Sequence, residues 1–139
     1  MGSGIVGKFS IQNYQTKGCI VTHITKDGLF AYSGDFICSN SHGSNVWVHG
    51  SGNSIRHWYS ESSDRHYCLD ASNEGFVSVR PCTGTNHQKW DRYQAGYIKN
   101  RGNGQCLDVM SEGDPRGSSR VYTRTCLHHE WQKWAFKPL

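Results

Sequence analysis

The chain has 139 residues, 35% of them hydrophobic, and a formal net charge of +4, which fits one domain with a modest core. Its basic residues are spread along the sequence without a run of five or six, so we expect no nucleic-acid partner. No apolar run approaches the roughly 20 residues that a membrane-spanning helix needs, so we expect no direct membrane insertion.

The predicted elements, taken from the N-terminus, are short strands separated by turns. Residues 1–4, Met-Gly-Ser-Gly, resemble an expression scar, so residues 1–7 are expected to be such a scar or a flexible N-terminus, and residues 8–139 one domain. Strand-like segments then occur at residues 9–11, 53–55 and 96–98. Val77 and Val79 alternate with polar residues, as do Val121 and Thr123, which is the period of two typical of a β-strand.

An isoleucine, a cysteine and a tryptophan each recur three times at a spacing of 43 or 44 residues. The nine residues are Ile11, Ile55, Ile98, Cys38, Cys82, Cys126, Trp47, Trp90 and Trp134. Such a period indicates three copies of one structural unit, at about residues 8–51, 52–94 and 95–139. Three units of about four strands each, closed on one another, hide their strand edges and share one core. The sequence therefore predicts an all-β fold with three pseudo-symmetric repeats.

The six cysteines are best explained as disulfides. None of them forms a C-x-x-C pair, which argues against a zinc site, and six cysteines allow 15 connectivities. The repeat favours three pairs within units, each closing a short loop and contributing about 3 kcal/mol: Cys19–Cys38, Cys68–Cys82 and Cys106–Cys126. Free buried thiols are the alternative. Disulfides imply an oxidising compartment, and we expect a secreted or extracellular protein.

Two of the three units carry the same set of motifs. Cys-Leu-Asp, a second cysteine and Gln-Lys-Trp occur at residues 68–70, 82 and 88–90, and again at 106–108, 126 and 132–134. In the first unit Val21 stands in place of the aspartate and Asn45 in place of the glutamine. With this pattern the chain resembles the ricin B-type lectin family, whose members are β-trefoil carbohydrate-binding modules. The resemblance covers about residues 8–137.

The resemblance assigns structural and binding roles to different residues. It implies that the Gln-x-Trp residues build each unit: Gln88, Trp90, Gln132, Trp134 and, in the first unit, Trp47. It implies that the aspartates accept hydrogen bonds from sugar hydroxyls, for which a carboxylate is well suited. Val21 cannot do so, and the first site is expected to be inactive.

The sugar-contacting sets depart from the family's usual choices. The family places an aromatic platform two residues before the second cysteine, where this chain has Phe36, Arg80 and Arg124. The second unit offers Asp70, Arg80 and His87, with Phe76, Trp58 or Tyr59 as substitute platforms. The third offers Asp108, Tyr122, Arg124 and Trp131 and is the more favoured site, because Tyr122 or Trp131 can stack on a sugar. The alternative role for both aspartates is to accept backbone N–H groups in turns.

The expected function is a non-enzymatic lectin domain that binds glycans of the galactose or N-acetylgalactosamine (GalNAc) type on glycoproteins or glycolipids. It would direct a fused or associated toxin or enzyme to cell surfaces. The alternative is a receptor-docking or protein-interaction subunit of a secreted bacterial toxin, with decayed sugar sites. No cofactor is expected, and His128-His129-Glu130 lacks the helical spacing of a metal site.

Overall fold

The computed structural model describes residues 7–25, 28–34, 38, 45–58, 66–109 and 118–139. Residues 1–6 of the expected scar or flexible N-terminus lie outside these ranges, as do Phe36 and Tyr59. In the described part the secondary structure consists of β-strands and short 3₁₀ turns. None of the described helices is long and apolar enough to cross a membrane.

Twelve strands are present in the described ranges, four in each predicted unit. They are β1 (Phe9–Asn13), β2 (Cys19–Thr25), β3 (Gly28–Gly34), β4 (Trp47–His49), β5 (Ile55–His57), β6 (Tyr67–Ala71), β7 (Val77–Pro81), β8 (Trp90–Arg92), β9 (Ile98–Asn100), β10 (Cys106–Val109), β11 (Ser118–Arg124) and β12 (Trp134–Pro138). The 3₁₀ turns that lie wholly within the described ranges are Ser51–Asn53, Asn86–Gln88 and Glu130–Gln132. The last two precede the final strands of the second and third units.

The strand pairing joins the units in a ring. β4 pairs with β5 and β8 with β9, and β1 pairs along its whole length with β12, so the last unit returns to the first. The middle strands of each unit form a hairpin: β2 with β3, β6 with β7 and β10 with β11. The first and last strands of the three units, six in all, and the three hairpins in this order make a β-trefoil. This confirms the predicted fold class.

The three repeated tryptophans occupy equivalent places in the core. Trp47, Trp90 and Trp134 are at most 5% exposed, and they pack with the three repeated isoleucines in one hydrophobic cluster. Each indole Nε1–H donates to a backbone carbonyl at 3.0 Å, that of Ile20, Leu69 or Leu107 respectively. Burial of an indole is favourable when its N–H finds an acceptor, and each unit provides one on its own hairpin.

The disulfides pair within units, as the repeat predicts. Cys19–Cys38, Cys68–Cys82 and Cys106–Cys126 have Cα–Cα distances of 5.3, 5.0 and 5.0 Å. These distances lie in the usual range for disulfides. Each bond ties the first strand of a hairpin to the segment after its second strand and so fixes the hairpin that carries the unit's aspartate or, in the first unit, Val21.

The hairpins of different units contact one another at one end of the molecule. β3 pairs with β11 and, at Phe30, with β7, while Phe76 forms a bridge to Tyr122. Gly75 has a φ of +99°, and a Cβ there would lie 2.5 Å from the Thr123 carbonyl oxygen. Only glycine fits this contact between the second and third hairpins, because both the backbone conformation and the space exclude a side chain.

An aromatic stack surrounds His49 at the end of β4. Its ring lies 4.6 Å from that of Phe9, which in turn stacks on Phe136 at 4.8 Å, and the Arg92 guanidinium carbon lies 3.7 Å above the Phe136 ring. His49 Nε2 is buried and has no hydrogen-bond partner among the described residues. Burial, and then the positive charge of Arg92, lower the pKa of His49 below its usual value.

We expect this histidine to make the domain sensitive to mild acid. Because its pKa is lower in the folded than in the unfolded chain, the unfolded chain binds the proton first as the pH falls. Stability should therefore decrease from about pH 6.5 downward through the folded-state pKa. Urea unfolding of wild type and of His49→Phe at several pH values checks this. As the pH falls, the unfolding free energy of the wild type should decrease more than that of His49→Phe. An equal decrease in both proteins would contradict the prediction.

Candidate functional site

In the second unit three elements surround the aspartate. Strand β6 carries Asp70, and β7 places Ser78 directly opposite it and Arg80 opposite Cys68. Since side chains alternate along a strand, Ser78 and Arg80 lie on the same face as Asp70. The 3₁₀ turn Asn86–Gln88 then brings His87 and Gln88 to the hairpin.

Gln88 holds Asp70 in place. It is 2% exposed, and its Nε2 donates to Asp70 Oδ2 at 2.9 Å and to the Pro81 carbonyl at 3.0 Å. Its Oε1 accepts the Thr83 N–H at 2.8 Å, so the whole amide group is used. Asp70 remains partly exposed, and its Oδ1 accepts no hydrogen bond from any described residue. The carboxylate is therefore fixed by one oxygen and open at the other.

Arg80 and His87 are both held by a neighbouring polar side chain. Arg80 is exposed, and its Nε donates to Ser78 Oγ at 3.0 Å. His87 Nε2 lies 2.7 Å from Asn73 Oδ1. The ring of His87 packs against Gly102 so closely that a Cβ on that glycine would lie 2.5 Å from it. His87 is thus wedged between its own hairpin and the third unit.

The aspartate of the third unit has a different environment. Asp108 is 1% exposed, its Oδ1 accepts the Val109 N–H at 2.7 Å, and its Oδ2 accepts Gln132 Nε2 at 3.1 Å. Arg124 Nε lies 4.0 Å from the same Oδ2. Burial raises the pKa of Asp108, against the opposing effect of these hydrogen bonds and of the charges of His129 and Arg124. Both oxygens therefore already have partners.

Of the other residues predicted for the third unit, Tyr122 and Arg124 lie near Asp108, whereas Trp131 lies against the core. Tyr122 stands opposite it across the hairpin, and Arg124 Nη1 donates to the Tyr122 hydroxyl at 3.4 Å. Trp131 packs against the hydrophobic core, and its carbonyl accepts a hydrogen bond from Asn13. Tyr122 is thus close to the carboxylate, whereas the Trp131 ring is partly committed to the core.

The first unit has no equivalent carboxylate. Val21 occupies the aspartate's place and is 8% exposed, and Asn45 at the glutamine's place is buried. Of the possible substitute platforms, Trp58 has the Lys8 ammonium 4.8 Å from its ring centroid. Phe76 is 55% exposed and joins Tyr122 of the third unit by a backbone bridge.

Two buried asparagines that were not predicted from the sequence connect the units. Asn13 and Asn100 are fully buried and end the first strand of the first and third units. Their side-chain amides donate to the carbonyls of Trp131 and His87, which belong to the third and second units. Both residues stand two positions after a repeated isoleucine, a spacing that could have identified them. They fix the position of the residue just before each structural glutamine.

The described residues give no support for a metal site at this surface. Among the described residues no group of three or more histidine, cysteine, aspartate or glutamate side chains could hold a metal ion. The residues predicted for the second unit instead offer one open carboxylate oxygen, one guanidinium and one imidazole. Such a set can accept hydrogen bonds from a polar ligand and donate hydrogen bonds to it at the same time.

The family of ricin-type β-trefoil lectin domains matches residues 7–136 of the chain. The chain belongs to this family. A ricin-type lectin domain is a binding module and is not itself catalytic. No curated protein matches this lectin domain by sequence.

Solved structures of two lectins and of one enzyme contain the same fold. The C-half of an earthworm R-type lectin in complex with GalNAc is 14% identical, with a TM-score of 0.73 over 94% of this chain and 97% of that one. The β-trefoil lectin of the Vibrio vulnificus hemolysin/cytolysin, with N-acetyl-D-lactosamine bound, is 15% identical, with a TM-score of 0.70 over 97% and 96%. An exo-β-1,3-galactanase from Clostridium thermocellum is 17% identical, with a TM-score of 0.67 over 95% of this chain but 30% of its own.

Proposed function

We propose that this lectin domain binds glycans that end in galactose or GalNAc, and that the second unit provides the principal site. The observation that carries the proposal is the geometry of Asp70. Gln88 fixes one carboxylate oxygen, while the other is open at a partly exposed position. A fixed carboxylate can accept two sugar hydroxyl groups without losing side-chain freedom on binding.

The third unit contributes less in this proposal. Asp108 is 1% exposed and already accepts hydrogen bonds from Val109 and Gln132. A sugar hydroxyl has little access to a carboxylate that is so deeply buried, and the residues that cover it would have to move. The sequence favours this unit because of its aromatic residues, whereas exposure of the carboxylate favours the second.

In the biological setting, the domain is proposed to carry a secreted toxin or enzyme to cell-surface glycans. The bound sugars of the earthworm and Vibrio lectins support the sugar class. The galactanase supports the targeting role, because a domain of this fold makes up part of a longer enzyme there. One shallow site binds a monosaccharide at about the millimolar level, so attachment to a surface would require several sites acting together.

A second candidate function is protein docking. Val21 in the first unit and arginines at two platform positions favour it, because Val21 cannot accept a hydrogen bond from a sugar hydroxyl and the arginines replace the aromatic platform. A trefoil with decayed sugar sites could serve as the receptor-docking subunit of a secreted toxin. The two candidates differ in whether a free glycan binds at all.

A glycan array with the labelled domain separates the two functions. Galactose- and GalNAc-terminated glycans should give signal, and free lactose in excess should compete it away. An array with no signal for any glycan at high protein concentration would end the lectin proposal and favour docking. A chain whose disulfides have been reduced beforehand serves as the control for nonspecific adsorption to the array. It should give no glycan signal, because it should lose the hairpin that carries Asp70.

A further inference from the structure

The most distinctive feature of the proposed site is the charge at the platform position. Both units that retain the aspartate have an arginine there, Arg80 and Arg124, and both side chains are exposed. Neither offers a flat apolar surface to a sugar ring. A guanidinium instead presents five N–H donors in a planar fork that fits a carboxylate or sulfate.

Arg80 is held in place, and no carboxylate in the described part of the chain pairs with it. Its Nε donates to Ser78 Oγ, and its two terminal amino groups donate to no described residue. It also forms no ion pair within 4.0 Å with any described carboxylate, unlike Arg124, whose Nε lies 4.0 Å from Asp108. The oriented side chain thus keeps its charge and four N–H donors for a ligand.

Asp70 and Arg80 are placed to contact different parts of one ligand. Asp70 pairs with Ser78 across the hairpin, and Arg80 is two residues further along the same strand. Such diagonal neighbours lie about 7–8 Å apart, and their Cβ atoms are somewhat closer. Within that separation the carboxylate can accept hydroxyl groups while the guanidinium binds an anionic substituent of the same saccharide.

We propose that the site of the second unit prefers saccharides that carry an anionic group, either a carboxylate or a sulfate ester. Asp70 accepts their hydroxyls, and Arg80 binds the anion. This inference rests on the proposed sugar-binding function and names the ligand class within it. The net charge of +4 acts in the same direction, because it raises the local concentration of anionic glycans.

The test compares three ligands with a common core: lactose, a sulfate ester of lactose, and sialyllactose. Calorimetric titration of the wild-type domain at low salt should show at least one acidic ligand binding about five- to tenfold more tightly than lactose. Tighter binding of the sulfate ester alone assigns the anion as sulfate, and tighter binding of sialyllactose alone assigns it as carboxylate. The advantage should shrink at high salt.

Two variants of Arg80 and one control identify the cause. Arg80→Gln should bring the ratio of acidic to neutral affinity to about one, and Arg80→Lys should give an intermediate ratio, because an ammonium lacks the fork. Lys137→Gln on the exposed part of β12 removes the same charge, yet it should leave the ratio unchanged.

Equal affinity of the wild type for lactose and both acidic ligands would overturn this inference and leave the proposed function intact. So would an unchanged ratio in Arg80→Gln. Absence of binding to all three ligands would instead contradict the proposed function itself.

Discussion

Replacing Asp70 by alanine is expected to lower the affinity for galactose-terminated glycans by at least about tenfold, since hydrogen bonds to a charged group contribute about 1.5–3 kcal/mol. The fold should tolerate the change, because Gln88 keeps its bonds to the Pro81 carbonyl and the Thr83 N–H. Titration with lactose or a reactive array glycan measures the affinity, and urea unfolding monitors stability.

Two other aspartates serve as comparisons for that variant. Asp91 pairs with Arg101 on the exposed surface, and Asp91→Ala should leave sugar affinity unchanged. Asp108→Ala should have a smaller effect on affinity than Asp70→Ala, but it should cost stability, because it removes the acceptor of the Val109 N–H. If Asp108→Ala abolished binding while Asp70→Ala did not, the third unit would be the principal site.

Replacing Trp90 by alanine is expected to destabilise the domain by about 3–5 kcal/mol, the usual cost of truncating a buried aromatic residue. The indole is 3% exposed, packs in the hydrophobic core, and donates to the Leu69 carbonyl at 3.0 Å. Leu69 precedes Asp70, so the loss should also loosen the strand that carries the carboxylate. Denaturant unfolding with the disulfides intact measures the change.

Trp90→Phe and Trp58→Ala separate packing from hydrogen bonding. Trp90→Phe keeps most of the buried ring and should cost about 1–3 kcal/mol, chiefly through the lost donor to Leu69. Trp58 is 37% exposed, and its replacement by alanine should cost about 1 kcal/mol or less. An equal loss of stability for alanine at positions 58 and 90 would mean that Trp90 is not a core residue.

The fold could be predicted because the constraints that define it recur in the sequence. Packing fixes the places of the buried isoleucine, the second cysteine and the tryptophan in each unit, so equivalent residues of successive units are 43 or 44 residues apart. The disulfide pairs follow from the same repeat. Loops can vary in length between these points without disturbing the core.

The difference between the two aspartates could not be predicted. Both stand in the same Cys-Leu-Asp triplet, and both accept a hydrogen bond from the glutamine of Gln-Lys-Trp. Their neighbours differ: Arg124 Nε lies 4.0 Å from Asp108, whereas Nε of its counterpart Arg80 donates to Ser78 Oγ. Side-chain direction of this kind depends on tertiary contacts rather than on local sequence. The same holds for Asn13 and Asn100, whose partners lie in another unit.

The pairing of β1 with β12 brings the two ends of the described domain side by side, and Leu139 N–H donates to the Lys8 carbonyl at 3.0 Å. A chain that enters and leaves at neighbouring points can be inserted into a loop of another protein, or joined in tandem, without distorting either neighbour. Topology at this junction resembles that between consecutive units. The ring could therefore be opened at either of the other two junctions instead, and such a circular permutation should preserve the fold.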